Sequence, residues 1–338
     1  MFSFEIVRCP FRPPSVAGAF RMSESVIAFM IWSYETLFWS PDVVLHECTP
    51  SFDVEGLATV FGAMYVILSF VFCPSDLGWP TRRRRRYTVL VHKTRRVIPF
   101  LVDQLMFSRL FFRRCMLEGH IFWKTTPDQA VQDFMDEKAV SKHLPTRDQD
   151  GLPWSCRSLL GQGYLQRLLG YERLCRKQNR PLKYIVNVHQ KASFSKCVSN
   201  LVPALMTRTS HIWSMVYNRL LMPLECLEVM GLKVFRNGSD ALSTDIGIIR
   251  LGLRGKLAQH QVAALAGNAM SQVAVGVALM LALGLSADLD SEVLPHPPES
   301  SVYRAGPLSS ISESESYSEA GTFSADDGDW ADCDEPAM

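Results

Sequence analysis

Two runs of β-branched and aromatic residues, Tyr65 to Phe72 and Tyr87 to Val91, enclose a loop that carries Pro74, Gly78 and Pro80 and ends in five consecutive arginines, Arg82 to Arg86. Such side chains pack well on a pleated surface, whereas proline and glycine interrupt it, so the segment reads as strand, loop, strand. The arginines enter the second strand from the loop. Upstream, Val43, Val44 and Leu45 form a short apolar run that brings Glu47 to the carboxyl end of a buried strand, where α/β proteins keep their reactive groups. Ser25 to Trp39 reads as a helix apolar on nearly every side, stopped by Pro41, and Asp53 to Ala63 as a second helix. Helices alternating with strands in this way predict an α/β sheet.

Charge adds a partner. The chain has 338 residues and 47% hydrophobic content, enough for a substantial core and up to two domains. Its net charge of +1 conceals an asymmetry. From residue 285 onward there are 13 acidic residues against one basic, Arg304, which leaves the body with 34 basic against 21 acidic residues. A body that basic suits a polyanion, and a tail rich in Ser, Asp and Glu reads as disordered.

Nine cysteines without a C-x-x-C pair point to a reducing compartment rather than to a disulfide framework or a zinc site, so no metal is implied. The N-terminus lacks the basic-then-apolar order of a secretory signal. Ala258 to Ala287 holds no Asp, Glu, Lys or Arg, but His260, Gln261, Asn268, Ser271 and Gln272 crowd its first half. The purely apolar part, Val273 to Leu285, is too short to cross a bilayer, so a buried helix and no membrane partner are expected.

Each feature has a plainer reading. Without context, Arg82 to Arg86 is a nuclear import signal or a solvated face; its place between two strands argues for a site, and both can hold, which gives a nuclear location. Glu47 on an isolated apolar strand could be a satisfied buried carboxylate. Gly161-Gln162-Gly163 follows Leu159 and Leu160 without a preceding strand, so it lacks the context of a nucleotide-binding turn. A leucine-rich helix is expected over Cys156 to Lys177.

Taken in order, these segments resemble the DNA (cytosine-5) methyltransferases. His46-Glu47-Cys48-Thr49 stands where that family has Glu-Asn-Val, and Gly78-Trp79-Pro80-Thr81-Arg82-Arg83-Arg84-Arg85-Arg86-Tyr87 where it has a Gln-x-Arg-x-Arg segment. Glu47, Arg83 and Arg85 match; Cys48 and Thr81 depart. Asn218 to Gly231, with Arg219 and Glu225, is similar to the family's ninth motif, an R-x-L-x-x-x-E-x-x-x-x-x-G helix. Gly267-Asn268-Ala269-Met270 followed by Val273 to Leu285 is similar to its last motif, a turn opening a helix beside the cofactor. Asn187 to Gln190 and Val202 to Arg208 resemble segments that precede the ninth motif.

The resemblance implies a Rossmann-like α/β fold using S-adenosylmethionine, with a target recognition region inserted. It makes Glu47 the carboxyl group that hydrogen-bonds the ring of a flipped cytosine, Arg83 and Arg85 the groups that hold its phosphate and ring edge, Glu225 a structural residue, and Gly267 and Asn268 cofactor-side residues. The nucleophile would be Cys9, 38 residues before Glu47, favoured as thiolate by Arg8 and Arg12. Its flanks depart from the family's Pro-Cys-Gln, with Arg8 and Pro10 in place of proline and glutamine, and a scrambled N-terminus stands as the alternative. Only eight residues precede Cys9, too few for the family's glycine-rich cofactor turn, so the resemblance covers the C-terminal portion of the catalytic domain. The cofactor half is then expected from a missing segment or a separate chain. The expected organisation is a partial catalytic domain over 1–93, a target recognition-like region over 94–200, a return to the catalytic domain over 201–286 and an acidic tail over 287–338. DNA is the expected partner; a tRNA cytosine-5 methyltransferase and a catalytically dead DNA-binding remnant are the alternatives.

Overall fold

A computed structural model describes residues 4–8, 24–98, 101–145, 154–179, 181–193, 199–206, 211–232, 234, 259–284 and 286–288. Cys9 and the acidic tail beyond Asp288 lie outside these residues, and so do Thr207 and Arg208 at the end of the segment expected before the ninth motif.

The fold is mixed α/β. Four strands, β1 (Phe4–Arg8), β2 (Val43–Cys48), β3 (Tyr65–Phe72) and β5 (Arg85–His92), form a sheet in the order β1-β2-β5-β3. β1 and β2 run parallel, joined through helix α1 (Glu24–Trp39), which is the connection a parallel pair requires. β5 runs antiparallel to both neighbours. Helix α2 (Val54–Phe61), capped by the Asp53 side chain on the Glu55 amide, joins β2 to β3.

Alternation along β2 sends its side chains to two cores. Val44 and Cys48 pack with Trp32 of α1 and with Leu57 and Phe61 of α2. Val43 and Leu45 pack on the other face with Phe70, Phe72, Tyr87 and Phe107, the last from α3 (Gln104–Phe111). α1 is apolar all round, as expected, and its outward side leaves Met30, Ile31, Tyr34 and Phe38 exposed.

A third core gathers the rest of the chain. It combines α4 (Ile121–Lys124), α5 (Asp128–Ser141), α6 (Gln162–Lys177), the small sheet of β7 (Ile185–Asn187), β9 (Ile212–Ser214) and β10 (Arg219–Leu220), and α7 (Pro223–Val229) with α8 (Gln259–Asn268). Phe122, Leu168 and Ile185 thus share a core with Leu221, Val229 and Ala266, so packing runs across the expected boundary near residue 200. Four short strands complete the order: β4 (Thr81–Arg82) pairs in parallel with β8 (Val202–Pro203), and β6 (Arg96–Val97) pairs with β11 (Ala287–Asp288).

Two expectations about helix ends need correction. α6 begins at Gln162, not near Cys156, because Gly161 takes an extended backbone and serves as its N-cap. Gly267 and Asn268 close α8 and do not open the next helix; α9 (Gln272–Gly284) starts only after Ala269, Met270 and Ser271. The apolar stretch Gln261–Gly284 has the length and composition of a membrane span, but it breaks there, and Ala274, Ala278 and Leu281 of α9 pack on the sheet beside Val43 and Val91.

Candidate functional site

Glu47 is the next-to-last residue of β2, 1% exposed, on the sheet face that also carries Leu45 and Tyr87. Register places it opposite Arg8 of β1 on one side and Tyr87 of β5 on the other. One charge partner is Arg85, whose Nε lies 3.4 Å from Glu47 Oε1 and whose side chain is 22% exposed. Glu47 is enclosed; Arg85 reaches the surface. Tyr87 completes the group with a hydroxyl that is buried and without a hydrogen-bond partner among the described residues. Burial, and next the nearby negative Glu47, push its ionisation up.

The five arginines divide their work. Arg83 precedes β5 and is 1% exposed; it donates from Nη1 to the Leu205 carbonyl at 3.1 Å and from Nη2 to those of Gly267 at 3.4 Å and Ala269 at 3.1 Å. Those bonds correct the expectation that Arg83 holds a phosphate: its fork is committed to backbone inside the protein. Arg86, on the opposite face from Arg85, donates to the Pro50 carbonyl at 2.7 and 3.0 Å and to Ser69 Oγ at 3.0 Å, fixing the turn that follows Glu47. Arg84 alone of the five is exposed.

The loop before β5 is held by residues that no sequence pattern marks. Cys73 Sγ accepts from the Arg83 amide at 3.1 Å, and Asp76 accepts from the Cys73 amide at 2.8 Å. Trp79 Nε1 and the Thr81 hydroxyl both donate to the Val229 carbonyl at the end of α7, at 2.9 and 3.4 Å. α7 is itself fixed by a buried pair: Arg219 donates to Glu225 at 2.6 and 2.9 Å, and Glu225 also accepts from the Met222 amide at 2.7 Å and from the Thr126 hydroxyl. Glu225 is structural, and so is Arg219.

On the other side of β2, His46 is fully buried between Trp32 and Phe52, with ring centroids 5.0 and 4.9 Å away. Neither ring nitrogen has a partner among the described residues. Cys48 packs in that same core and contributes nothing to the Glu47 side.

The two residues expected on the cofactor side, Gly267 and Asn268, do not by themselves make a cradle for S-adenosylmethionine. Gly267 has its carbonyl taken by Arg83, and Asn268 stands at the end of α8, where a single amide cannot grip a ribose and a carboxylate together. Among the described residues no group of His, Cys, Asp and Glu could hold a metal ion, and the six described cysteines form no disulfide with one another.

No family model matches the chain, and no curated protein does. Similar solved structures include a putative DNA modification methyltransferase encoded within a prophage of E. coli, at 13% identity and a TM-score of 0.46, covering 84% of this chain and 79% of that one. Another is the S. pombe Dnmt2 methyltransferase, at 12% identity and 0.39, covering 83% and 77%. The Entamoeba histolytica methyltransferase EhMeth is similar at 13% and 0.37, covering 77% and 69%.

Proposed function

We propose that the chain is a cytosine-5 methyltransferase-like protein that acts on a nucleic acid with S-adenosylmethionine as methyl donor. The observation that carries the reading is the register of β1 and β2, which sets Arg8 opposite Glu47 at the carboxyl ends of two parallel strands. Cys9, the nucleophile named by the resemblance, follows Arg8 in the sequence and lies outside the described residues, so the reading rests on Glu47 and on the strand end that precedes Cys9. The order of the matching segments supports the same reading.

In it, Glu47 contributes a carboxyl group inside a site closed to water, where a hydrogen bond to a ring nitrogen discriminates strongly between bases. Arg85 holds Glu47 through Nε, donates from Nη1 to the Arg84 carbonyl, and offers Nη2 to the nucleotide. Arg84 and the basic body attract the phosphate backbone. The donor supplies the methyl group. DNA and tRNA are both substrates to test, since the site selects a base and leaves the sugar open.

Incubation of the chain with radiolabelled S-adenosylmethionine and either DNA or tRNA tests the reading. Label incorporated at cytosine C5 and lost with Glu47→Gln supports it. Incorporation that Glu47→Gln leaves unchanged refutes the role of Glu47, and none on either nucleic acid, with binding retained, favours the DNA-binding remnant.

A further inference from the structure

The third core contains a cavity of about 150 Å³ where α5, the turn before α6 and β9–β10 meet. Met135, Leu159 and Leu220 give it apolar wall; Lys138, Lys142 and His211 give it charge and hydrogen-bonding capacity. No Asp or Glu lines it. Gly161, the N-cap of α6, lines it too, and no side chain caps that helix. The first-turn amides of a 16-residue helix therefore stand without a side-chain acceptor at the positive end of its dipole.

The cations around the cavity act on one another, and Lys138 Nζ also lies over the Phe134 ring, 5.5 Å from its centroid. Neither Lys138 nor Lys142 makes an ion pair among the described residues, although Glu137 lies beside Lys138 on α5 and favours its charge. Lys138 is pushed below the ordinary lysine range, first by burial, with Lys142 adding to the fall. His211 falls to about 4, first by burial and then through Lys138, His189 and Arg167. The Nδ1 atoms of His211 and His189 are buried and have no hydrogen-bond partner among the described residues. Tyr164 stacks on His211 with centroids 4.4 Å apart, which fixes the imidazole at the cavity wall.

We propose that this cavity binds a phosphate group. Two ammonium groups, an imidazole and uncapped helix amides converge from three separate elements, and a tetrahedral anion can accept from all three, which a planar carboxylate does less well. The phosphate belongs either to a nucleic-acid backbone or to a small free phosphate; the recognising chemistry is shared. The assignment does not depend on methyl transfer, because the cavity lies in a different core from Glu47.

Titration of the full chain with inorganic phosphate, with a mononucleotide and with a cytosine-free duplex, each followed through the His211 ring resonances, tests the proposal. The cytosine-free duplex leaves the base site without its ligand. Saturable change at His211, weakened about tenfold or more by Lys138→Gln with Lys142→Gln, is the expected result. Response to inorganic phosphate or the mononucleotide identifies a small-molecule site, and response to the duplex alone a backbone contact. Lys142 is exposed, so Lys142→Gln alone replaces the double variant if that fails to fold. No change at His211 with any ligand, the same change with chloride at equal ionic strength, or a change insensitive to the lysines overturns the proposal.

Discussion

Arg85 approaches Glu47 to 3.4 Å, joining a partly exposed guanidinium to a carboxylate that is almost wholly enclosed. The pairing gives the carboxylate an orientation, while Arg85 Nη1 donates to the Arg84 carbonyl at 2.7 Å. If Glu47 grips a base through its carboxyl group, Glu47→Gln should lower methyl transfer by about 10²-fold or more while nucleic-acid affinity changes by less than about threefold. Measured turnover beside a binding titration checks both halves. A parallel loss of binding would make Glu47 a structural carboxylate.

Arg83 and Arg85 are two positions apart and should respond differently to lysine. Arg83→Lys replaces a fork that reaches three carbonyls with a single ammonium, and should destabilise the protein by about 2 kcal/mol. Arg85→Lys retains a cation beside Glu47 and should cost less than about 1 kcal/mol. Urea unfolding of both variants decides; equal costs would remove the special standing of Arg83.

The Arg219–Glu225 pair is buried and further hydrogen-bonded. Glu225→Gln leaves Arg219 as an uncompensated interior charge and should cost about 3–5 kcal/mol. Replacing both, Arg219→Met with Glu225→Leu, should recover a large part of that loss. A double variant no more stable than the single one would mean that the bonds to Met222 and Thr126 dominate.

Tyr87 presents a buried hydroxyl without a partner among the described residues. Tyr87→Phe removes that desolvated oxygen and should be neutral or stabilising by up to about 1 kcal/mol. A shift of the unfolding midpoint to lower denaturant would reveal a partner for the hydroxyl.

His211 sets an acid limit. Its folded-state value of about 4 lies below the ordinary 6.5, so between those values the unfolded chain binds more protons than the folded one. Stability is therefore complete above about 6.5, falls as pH drops toward about 4, and levels below it. His92 and His189, also lowered mainly by burial, act in the same direction. His211→Phe should flatten the slope in that window; an unchanged slope would assign it to other groups.

The parts of the fold that are readable in the sequence are those fixed by local periodicity. The apolar run from Val43, the alternation around Tyr65 to Phe72 and the helices before and after β2 depend on near neighbours, and so does the position of Glu47 on its strand. The fate of each arginine is not readable, because the carbonyls that capture Arg83 come from residues 122 to 186 positions away. Gly267-Asn268 carries the same local signal whether it ends a helix or begins one; the packing of α8 against α7 decides it. The cavity beside His211 draws on three distant segments, and no local pattern shows that they meet.

The bonds from Arg83 to Gly267 and Ala269 have a consequence for how the chain reaches its fold. Closing a loop of some 180 residues costs several kcal/mol of chain entropy, more than a few hydrogen bonds return on their own. The contact therefore forms only after the intervening elements have shortened the effective loop, so it belongs to the closing stage of folding and not to its nucleus. Until then a guanidinium destined for the interior stays in water. Lesions at Arg83 should accordingly speed unfolding while leaving the folding rate almost unchanged.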